Sequence, residues 1–264
     1  MYLILLCFLS ILPGVLISIF IIWQDRNDPE PLFNLFICFI LGMLSAFPAM
    51  LLEYAGTHYI LPLIHQHAWQ ILATIVLSFV VVGFSEEFIK FFFVRQIVFK
   101  TKAYSEPLDG IVYAMMIGMG FATFENLLYI VFRGGTVKLA ILRMFTAVPA
   151  HGMYALMMGY FLGIASFEID YNKRKRLWRY ALALPVFAHG LYDFFLFQRI
   201  SIYLHLGALV VLLFGVRFGL DLLLRLLHDS SIRRLRLLNN PRKQIIIIPI
   251  HQLTTEPEPQ DEDD

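Results

Sequence analysis

The sequence predicts an all-α integral membrane protein, a polytopic bundle of about seven transmembrane helices. The 264-residue chain is 59% hydrophobic and only 16% charged, which is far from the composition of soluble proteins. Apolar runs long enough to cross a bilayer, about 20 residues each, recur along the chain without a soluble domain between them. Basic residues are concentrated in the connections between these runs. We therefore expect a multi-pass protein whose surroundings are a lipid bilayer.

Seven segments are apolar and long enough to be spanning helices. The first lacks a basic n-region and a small-residue cleavage site, so we expect a retained helix and not a signal peptide. The third is unusually long, and Gly83 could divide it into a span and a shorter inner piece. The predicted segments are residues 2–22, 33–53, 70–98, 109–132, 139–165, 179–197 and 201–222.

The distribution of Lys and Arg predicts the orientation of the bundle, because cytoplasmic connections are enriched in these residues. The connections KTKAYSEP and DYNKRKRLWR are basic, as is the region after residue 222, whereas YAGTHYILPLIHQH contains no Lys or Arg. This pattern places the N-terminus outside and the C-terminus in the cytoplasm. We expect a transmembrane domain over residues 1–222 and a cytoplasmic tail over 223–264 that is basic, then acidic, and partly disordered.

The cysteine and charge patterns argue against several other classes. Cys7 and Cys38 are the two cysteines and lie in apolar runs, so neither a disulfide framework nor a thiolate metal site is indicated. Basic residues are not interleaved with aromatic residues on a soluble face, so no nucleic-acid partner is expected. Three histidines of the second connection, His58, His65 and His67, lack a carboxylate or cysteine that would complete a metal site.

Ionisable side chains interrupt four of the apolar segments. A charge at the bilayer centre costs about 2.5 to 3.5 kcal/mol on insertion scales, and such residues are by default functional. Each of the four positions falls within about two helical turns of the middle of its segment, so we expect them at one depth. The stretches are SEEFIK with Glu86, Glu87 and Lys90, FATFENLLY with Glu125, PAHGMY with His151, and FAHGLYDFF with His189 and Asp193.

Helical spacing pairs some of these residues. Positions four apart share a helix face, so Glu86 is expected beside Lys90, and His189 beside Asp193. Glu87 is turned by about 100° from Glu86 and is expected to serve a different neighbour. An intramembrane ion pair can simply hold two helices together. Four such positions at one depth nevertheless favour a functional centre.

These motifs together resemble the PrsW family of intramembrane proteases, which are relatives of the type II CAAX prenyl endopeptidases. The similar stretches are, in order, WQDRNDPEP, EEFIK, EPLDGIVYA, GFATFENLLY, RMFTAVPAHGMYALMMGYFLG and HGLYDF. The resemblance implies a bacterial inner-membrane protease that cuts a membrane-anchored protein, such as an anti-sigma factor in a stress response. CAAX endopeptidases generally carry histidine at the position of Glu125 and often asparagine at that of Asp193, so their mechanism does not transfer directly.

The resemblance and acid–base chemistry together give the expected catalytic residues. A carboxylate in an apolar cavity is suited to take a proton from water, and Glu86 is the first choice for this base, with Glu87 as a substitute. His189 is expected to donate to the oxyanion, oriented by Asp193. The candidate catalytic residues are Glu86, Glu87, Glu125, His151, His189 and Asp193.

Two questions stay open at the level of sequence. Glu86, Glu125, His151 and His189 could hold Zn²⁺ with a position open to water. The chain lacks a His-Glu-x-x-His spacing, and adjacent glutamates are not expected to point at one ion. We therefore expect a glutamate-activated water without a cofactor, with Zn²⁺ as the alternative.

The second question is the class of function. In a proton-coupled transporter or channel the same residues would form a relay strung across the membrane. A non-catalytic scaffold would instead bind membrane proteins through the basic tail. A shared, water-accessible pocket for the carboxylates and histidines would favour the enzyme, whereas scattered, lipid-facing side chains would leave only the scaffold.

Overall fold

The computed structural model of the protein describes residues 1–65, 70–98 and 103–239, and every regular element within these ranges is helical. Turns of π-helix at Gly56–Ile60, Val76–Phe84 and Leu128–Phe132 continue neighbouring helices, and a 3-10 turn at Ile202–Leu204 precedes the last helix. The α-helices are α1 Tyr2–Gln24, α2 Leu32–Ala55, α3 Leu61–His65, α4 Gln70–Ile75, α5 Ser85–Val98, α6 Pro107–Leu127, α7 Val137–Phe145, α8 Ala147–Phe167, α9 Tyr171–Phe197 and α10 His205–Asn239.

Seven helical segments of the described chain are long and apolar enough to cross a membrane, which confirms the predicted class and number of spans. Each predicted segment overlaps one of them, because the length of an apolar run is a property of the local sequence. The fifth span contains α7 and α8, separated at Thr146. The spans are Tyr2–Gln24, Leu32–Ile64, Gln70–Ile97, Pro107–Val131, Val137–Phe167, Tyr171–Phe197 and Ile202–Ser231.

The basic stretch DYNKRKRLWR is not the connection that the sequence predicted. It forms the first turns of α9, and the carboxylate of Asp170 caps them by accepting hydrogen bonds from the backbone N–H groups of Asn172 and Lys173. Lys and Arg are good helix formers, so the helix begins well before its apolar part. Their long side chains suit them to a position at the end of a membrane span.

Two other features of the third and seventh spans differ from simple expectation. Gly83 does not divide the third span, because the π-helical turns Val76–Phe84 lead without a break into α5. The glycine instead allows close packing against α9, where a Cβ at this position would lie 3.1 Å from the backbone nitrogen of Gly190. Helix α10 passes through residue 222 and ends at Asn239, so the domain division at 222 remains a prediction, and residues 240–264 lie outside the described chain.

Helix α6 is the centre of the bundle. All its residues from 108 to 123 are buried, because α1, α2, α5, α8 and α10 pack around it. Small residues make this possible: a Cβ on Gly163 of α8 would overlap the carbonyl oxygen of Pro107, and one on Gly120 would overlap that of Phe39. These glycines therefore permit close approach of the helix backbones. This packing brings the polar residues of α5, α6, α8 and α9 to one place.

Candidate active site

Glu86, Glu87 and Lys90 form a buried ion cluster at the start of α5. The Nζ atom of Lys90 lies 2.7 Å from Glu87 Oε1 and 3.2 Å from Glu86 Oε2. All three side chains are at most 5% exposed. The predicted contact of Glu86 with Lys90 is present. One lysine serves both glutamates because positions three and four apart lie on the same side of a helix.

Two histidines from other helices approach the same carboxylates. In α9, His189 Nδ1 lies 2.9 Å from Glu87 Oε1 and 4.0 Å from Glu86 Oε2. In α8, His151 Nδ1 lies 3.1 Å from Lys90 Nζ and 3.9 Å from Glu86 Oε2. The two imidazole rings are 5.6 Å apart and nearly perpendicular. Three helices therefore converge on one cluster of charged and polar side chains.

Each histidine is held on its far side by a further carboxylate. His151 Nε2 lies 2.8 Å from Glu125 Oε2, and His189 Nε2 lies 3.4 Å from Asp193 Oδ2. A carboxylate on one ring nitrogen fixes the tautomer and orientation of an imidazole. All six residues that the sequence singled out are thus joined by contacts of 2.7 to 4.0 Å.

Glu125 is also anchored by α7. Arg143 Nη2 lies 2.9 Å from Glu125 Oε2, and Arg143 Nε donates a 2.7 Å hydrogen bond to Asn126 Oδ1. The guanidinium lies 4.3 Å from the centre of the Tyr129 ring, a cation–π contact. Glu125 therefore bridges Arg143 and His151, and His151 lies between Glu125 and Glu86 of α5.

Glu86, Glu87 and His189 fit a divalent metal. One ligand atom of each lies within 4.8 Å of the others, and all three residues are buried. The Oε2 atom of Glu87 has no hydrogen-bond partner within the described part of the chain. Two carboxylates and an imidazole are a donor set that Zn²⁺ accepts. One oxygen of each adjacent glutamate lies within 4.8 Å of the other and of a His189 nitrogen, so the arrangement allows both glutamates to reach one ion, contrary to the expectation from the sequence.

The sequence also suggested Glu125 and His151 as metal ligands. In the structure these two side chains contact each other and lie outside the group formed by Glu86, Glu87 and His189. Glu125 holds the His151 ring, and His151 in turn contacts Lys90. The three outer histidines give no comparable group: the His58 ring stacks on Tyr54, whereas His67 and the side chain of His65 lie outside the described part of the chain.

Tyr154 and Phe121 line the centre, and the sequence reasoning missed both. The Tyr154 ring stacks on His189 with 4.6 Å between centroids and 14° between planes, and its buried hydroxyl has no hydrogen-bond partner. Lys90 Nζ lies 4.0 Å from the centre of the Phe121 ring. Spacing could have pointed to Tyr154, three residues after His151 on the same helix face. Phe121 is one of 25 phenylalanines and has no distinguishing signal in the sequence.

A buried network of carboxylates and histidines inside a seven-helix membrane bundle places the protein in the class of intramembrane hydrolases. Comparison with known sequences gives the family. The sequence model described as "PrsW family intramembrane metalloprotease" matches residues 30–218, which include the whole network. The chain therefore belongs to the PrsW family and is an intramembrane protease.

Curated relatives support this assignment. Protease PrsW of Geobacillus kaustophilus is 33% identical over 191 residues, which cover 72% of this chain and 79% of the relative. Protease PrsW of Bacillus subtilis is 33% identical over 187 residues, covering 71% and 80%. Protease PrsW of Clostridioides difficile is 33% identical over 191 residues, covering 71% and 77%. No solved structure matches the chain.

Proposed function

We propose that the protein hydrolyses a peptide bond of a membrane-anchored protein, within or next to the bilayer, at the centre formed by Glu86, Glu87, His151 and His189. The observation that carries this proposal is their convergence: atoms of these residues and of Lys90 lie 2.7 to 4.0 Å apart although they come from three helices. A proton relay through a transporter needs ionisable groups spread along the membrane normal. A compact cluster instead supports chemistry at one point.

We further propose a single-span substrate such as an anti-sigma factor, and a location in the bacterial inner membrane. The relatives from Geobacillus kaustophilus and Bacillus subtilis are bacterial proteases, which supports this environment. The proposed orientation keeps the N-terminus outside and the tail over 223–264 in the cytoplasm. Labelling of single cysteines in a variant without Cys7 and Cys38 tests it. Lys138→Cys should react with an impermeant reagent from outside, and Lys175→Cys should not; the reverse pattern would contradict the orientation.

The catalytic roles follow from the contacts. When held by Glu86, Glu87 and His189, a metal such as Zn²⁺ supplies polarisation of the scissile carbonyl and a more acidic water. Lys90 keeps the two glutamates turned to the same point, because its ammonium contacts both. His151 does not belong to the group of Glu86, Glu87 and His189; oriented by Glu125, it is suited to pass a proton to the leaving amide nitrogen.

A second version of the mechanism uses no metal. Glu86 then takes the proton from water and His189 donates to the oxyanion, with Asp193 holding its ring. The fit of Glu86, Glu87 and His189 to a metal, together with the description of the matching family as metalloproteases, favours the first version.

The function is tested with purified protein in liposomes and a set of single-span substrates. Glu86→Gln, Glu87→Gln and His189→Ala are each expected to reduce cleavage by at least about 10³-fold while the protein stays folded in the membrane. The matched control is Asp221→Asn, which removes a carboxylate from a surface ion pair with Arg217. Absence of cleavage by the unmodified protein in several lipid compositions would contradict the proposal.

Metal removal separates the two versions of the mechanism. A strong chelator should abolish cleavage, and Zn²⁺ added back should restore it, if the metal-assisted version holds. Full activity after exhaustive chelation, with no zinc remaining in the protein, would assign the reaction to a glutamate-activated water. If Glu87 is a zinc ligand, the Glu87→Gln variant should lose zinc together with activity, and both are measured on the same sample.

A further inference from the structure

A second group of buried carboxylates lies where α1 ends and α6 begins. Asp25 follows α1, and Glu106 and Asp109 stand at the start of α6; one carboxylate oxygen of each lies within 4.8 Å of the others. Their exposed fractions are 3%, 2% and 0%. A fourth carboxylate, Glu30, is also buried nearby, and its backbone N–H donates to Asp25. Burial of so many acids requires a compensating interaction.

In Asp25 and Asp109, one carboxylate oxygen accepts backbone hydrogen bonds and the other accepts none from the described residues. Asp109 Oδ2 accepts hydrogen bonds from the backbone N–H groups of Ser105 and Glu106 at 2.6 and 2.8 Å, and Asp25 Oδ2 accepts that of Glu30 at 3.3 Å. The other oxygens, Asp25 Oδ1 and Asp109 Oδ1, are buried and accept no hydrogen bond from a donor among the described residues, and the side chain that lies beside Asp109 is another carboxyl group, that of Glu30. An unsatisfied buried acceptor costs about 1 to 3 kcal/mol, and more when it is charged. Both oxygens thus favour a positively charged ligand.

The described basic side chains do not supply that charge. None of the ion pairs between described residues includes Asp25, Glu30 or Asp109. Arg26, the adjacent cation in sequence, turns away: its Nη1 donates to the Trp23 carbonyl and its guanidinium lies 4.4 Å from the Trp23 ring centre.

We propose that Asp25, Glu106 and Asp109 form a second metal site, specific for a hard divalent cation and separate from the catalytic centre. The ligand set is entirely oxygen, which suits Ca²⁺ and Mg²⁺, whereas the catalytic group contains an imidazole. Ca²⁺ takes six to eight oxygen ligands in a flexible geometry, whereas Mg²⁺ demands near-ideal octahedral geometry and usually keeps several of its waters. A buried group of three carboxylates therefore fits Ca²⁺ better.

The bound cation would join three parts of the bundle. Asp25 belongs to the connection between α1 and α2, and Glu106 and Asp109 begin the central helix α6. Ser230 Oγ of α10 donates a 2.8 Å hydrogen bond to Glu106 Oε1, so the last helix is attached to the same point. The site is thus placed to stabilise the end of the bundle from which α6 starts. Cation binding at this site can be measured without measuring cleavage.

Binding is tested on the full chain in nanodiscs after removal of divalent ions. Tb³⁺ serves as the probe for Ca²⁺, because nearby aromatic side chains can sensitise its emission. Trp23 is two residues before Asp25, and the Tyr113 hydroxyl donates a hydrogen bond to Glu30. We expect saturable emission that Ca²⁺ displaces more strongly than Mg²⁺. Asp25→Asn and Asp109→Asn should each weaken Ca²⁺ binding at least tenfold. Glu86→Gln should leave it unchanged.

Thermal unfolding provides a second readout. Ca²⁺ should raise the unfolding midpoint of the unmodified protein and of Glu86→Gln, but not that of Asp109→Asn, whose amide oxygen can still accept the backbone hydrogen bonds. If Asp25→Asn and Asp109→Asn bound Ca²⁺ as tightly as the unmodified protein, the assignment would be overturned. So would binding that appears only in a Lys100→Gln, Lys102→Gln variant, because a lysine of the segment outside the described residues would then be the neutralising charge.

Discussion

At the scale of single residues, Lys90 balances the charge of the catalytic centre. Its ammonium contacts Glu86 and Glu87, lies beside His151 and faces the ring of Phe121, and the side chain is 4% exposed. Breaking a buried ion pair by removing one partner typically costs about 3 to 5 kcal/mol, because the other charge stays buried and unpaired. The two glutamates therefore depend on this one cation when no metal is bound.

We expect Lys90→Met to lower the free energy of unfolding by about 3 to 5 kcal/mol in chelator, and to abolish cleavage. Lys138→Met, which removes an exposed lysine, is the control and should change neither quantity measurably. Thermal unfolding in detergent with a cleavage assay provides the measurement. An unchanged midpoint for Lys90→Met would show that the glutamates do not need the ammonium.

Tyr154 shows how a residue can act through its ring alone. Its hydroxyl has no partner, so Tyr154→Phe loses no hydrogen bond and should keep cleavage within about tenfold. Tyr154→Ala removes the ring stacked on His189 and leaves a cavity, which costs about 3 to 5 kcal/mol and should lower cleavage by more than about 100-fold. A loss of that size in Tyr154→Phe would instead assign the hydroxyl to the reaction.

At the scale of elements, the contact between α6 and α8 requires glycine at particular positions. We expect Gly163→Ala to destabilise the protein by about 1 to 3 kcal/mol, because its new methyl group would meet the carbonyl oxygen of Pro107. Gly152→Ala in the same helix is the matched control, since the nearest atoms are methionine methyl groups at 3.6 and 3.8 Å. Thermal unfolding measures both, and equal destabilisation would contradict the role of close backbone approach.

The elements also show what the sequence could and could not predict. The seven spans were predictable because apolar length is local, and so were the pairs Glu86 with Lys90 and His189 with Asp193, because each lies within one helix. The contact between Glu87 and His189 was not predictable, because it depends on how α5 and α9 are rotated against each other. For the same reason the sequence could not predict that Glu86 and Glu87 both approach His189.

At the scale of the whole molecule, the charged residues are compatible with the membrane because the bundle encloses them. Glu86, Glu87, His151 and His189 are all at most 5% exposed, so the lipid meets an apolar surface. The sequence indicated that these residues had a function, since their cost in lipid is high. It could not reveal the buried group of Asp25, Glu106 and Asp109, because these residues lie at the ends of spans, where charged residues are ordinary.

The enclosure of α6 also has a consequence for how the protein is made. Its span is 78% buried in the folded bundle and has a mean hydropathy of 1.4, against 33% and 2.8 for the span of α1. The segment carries Asp109, Glu125 and Asn126, so its transfer into lipid alone is only weakly favourable.

In a translocon insertion reporter we expect residues 105–132 alone to insert less efficiently than residues 1–25, and insertion to rise when α1 and α2 precede them. Equal insertion of the two isolated segments would contradict this. The ribosome delivers α1 and α2 first, and they form the surface against which the central helix can leave the translocon.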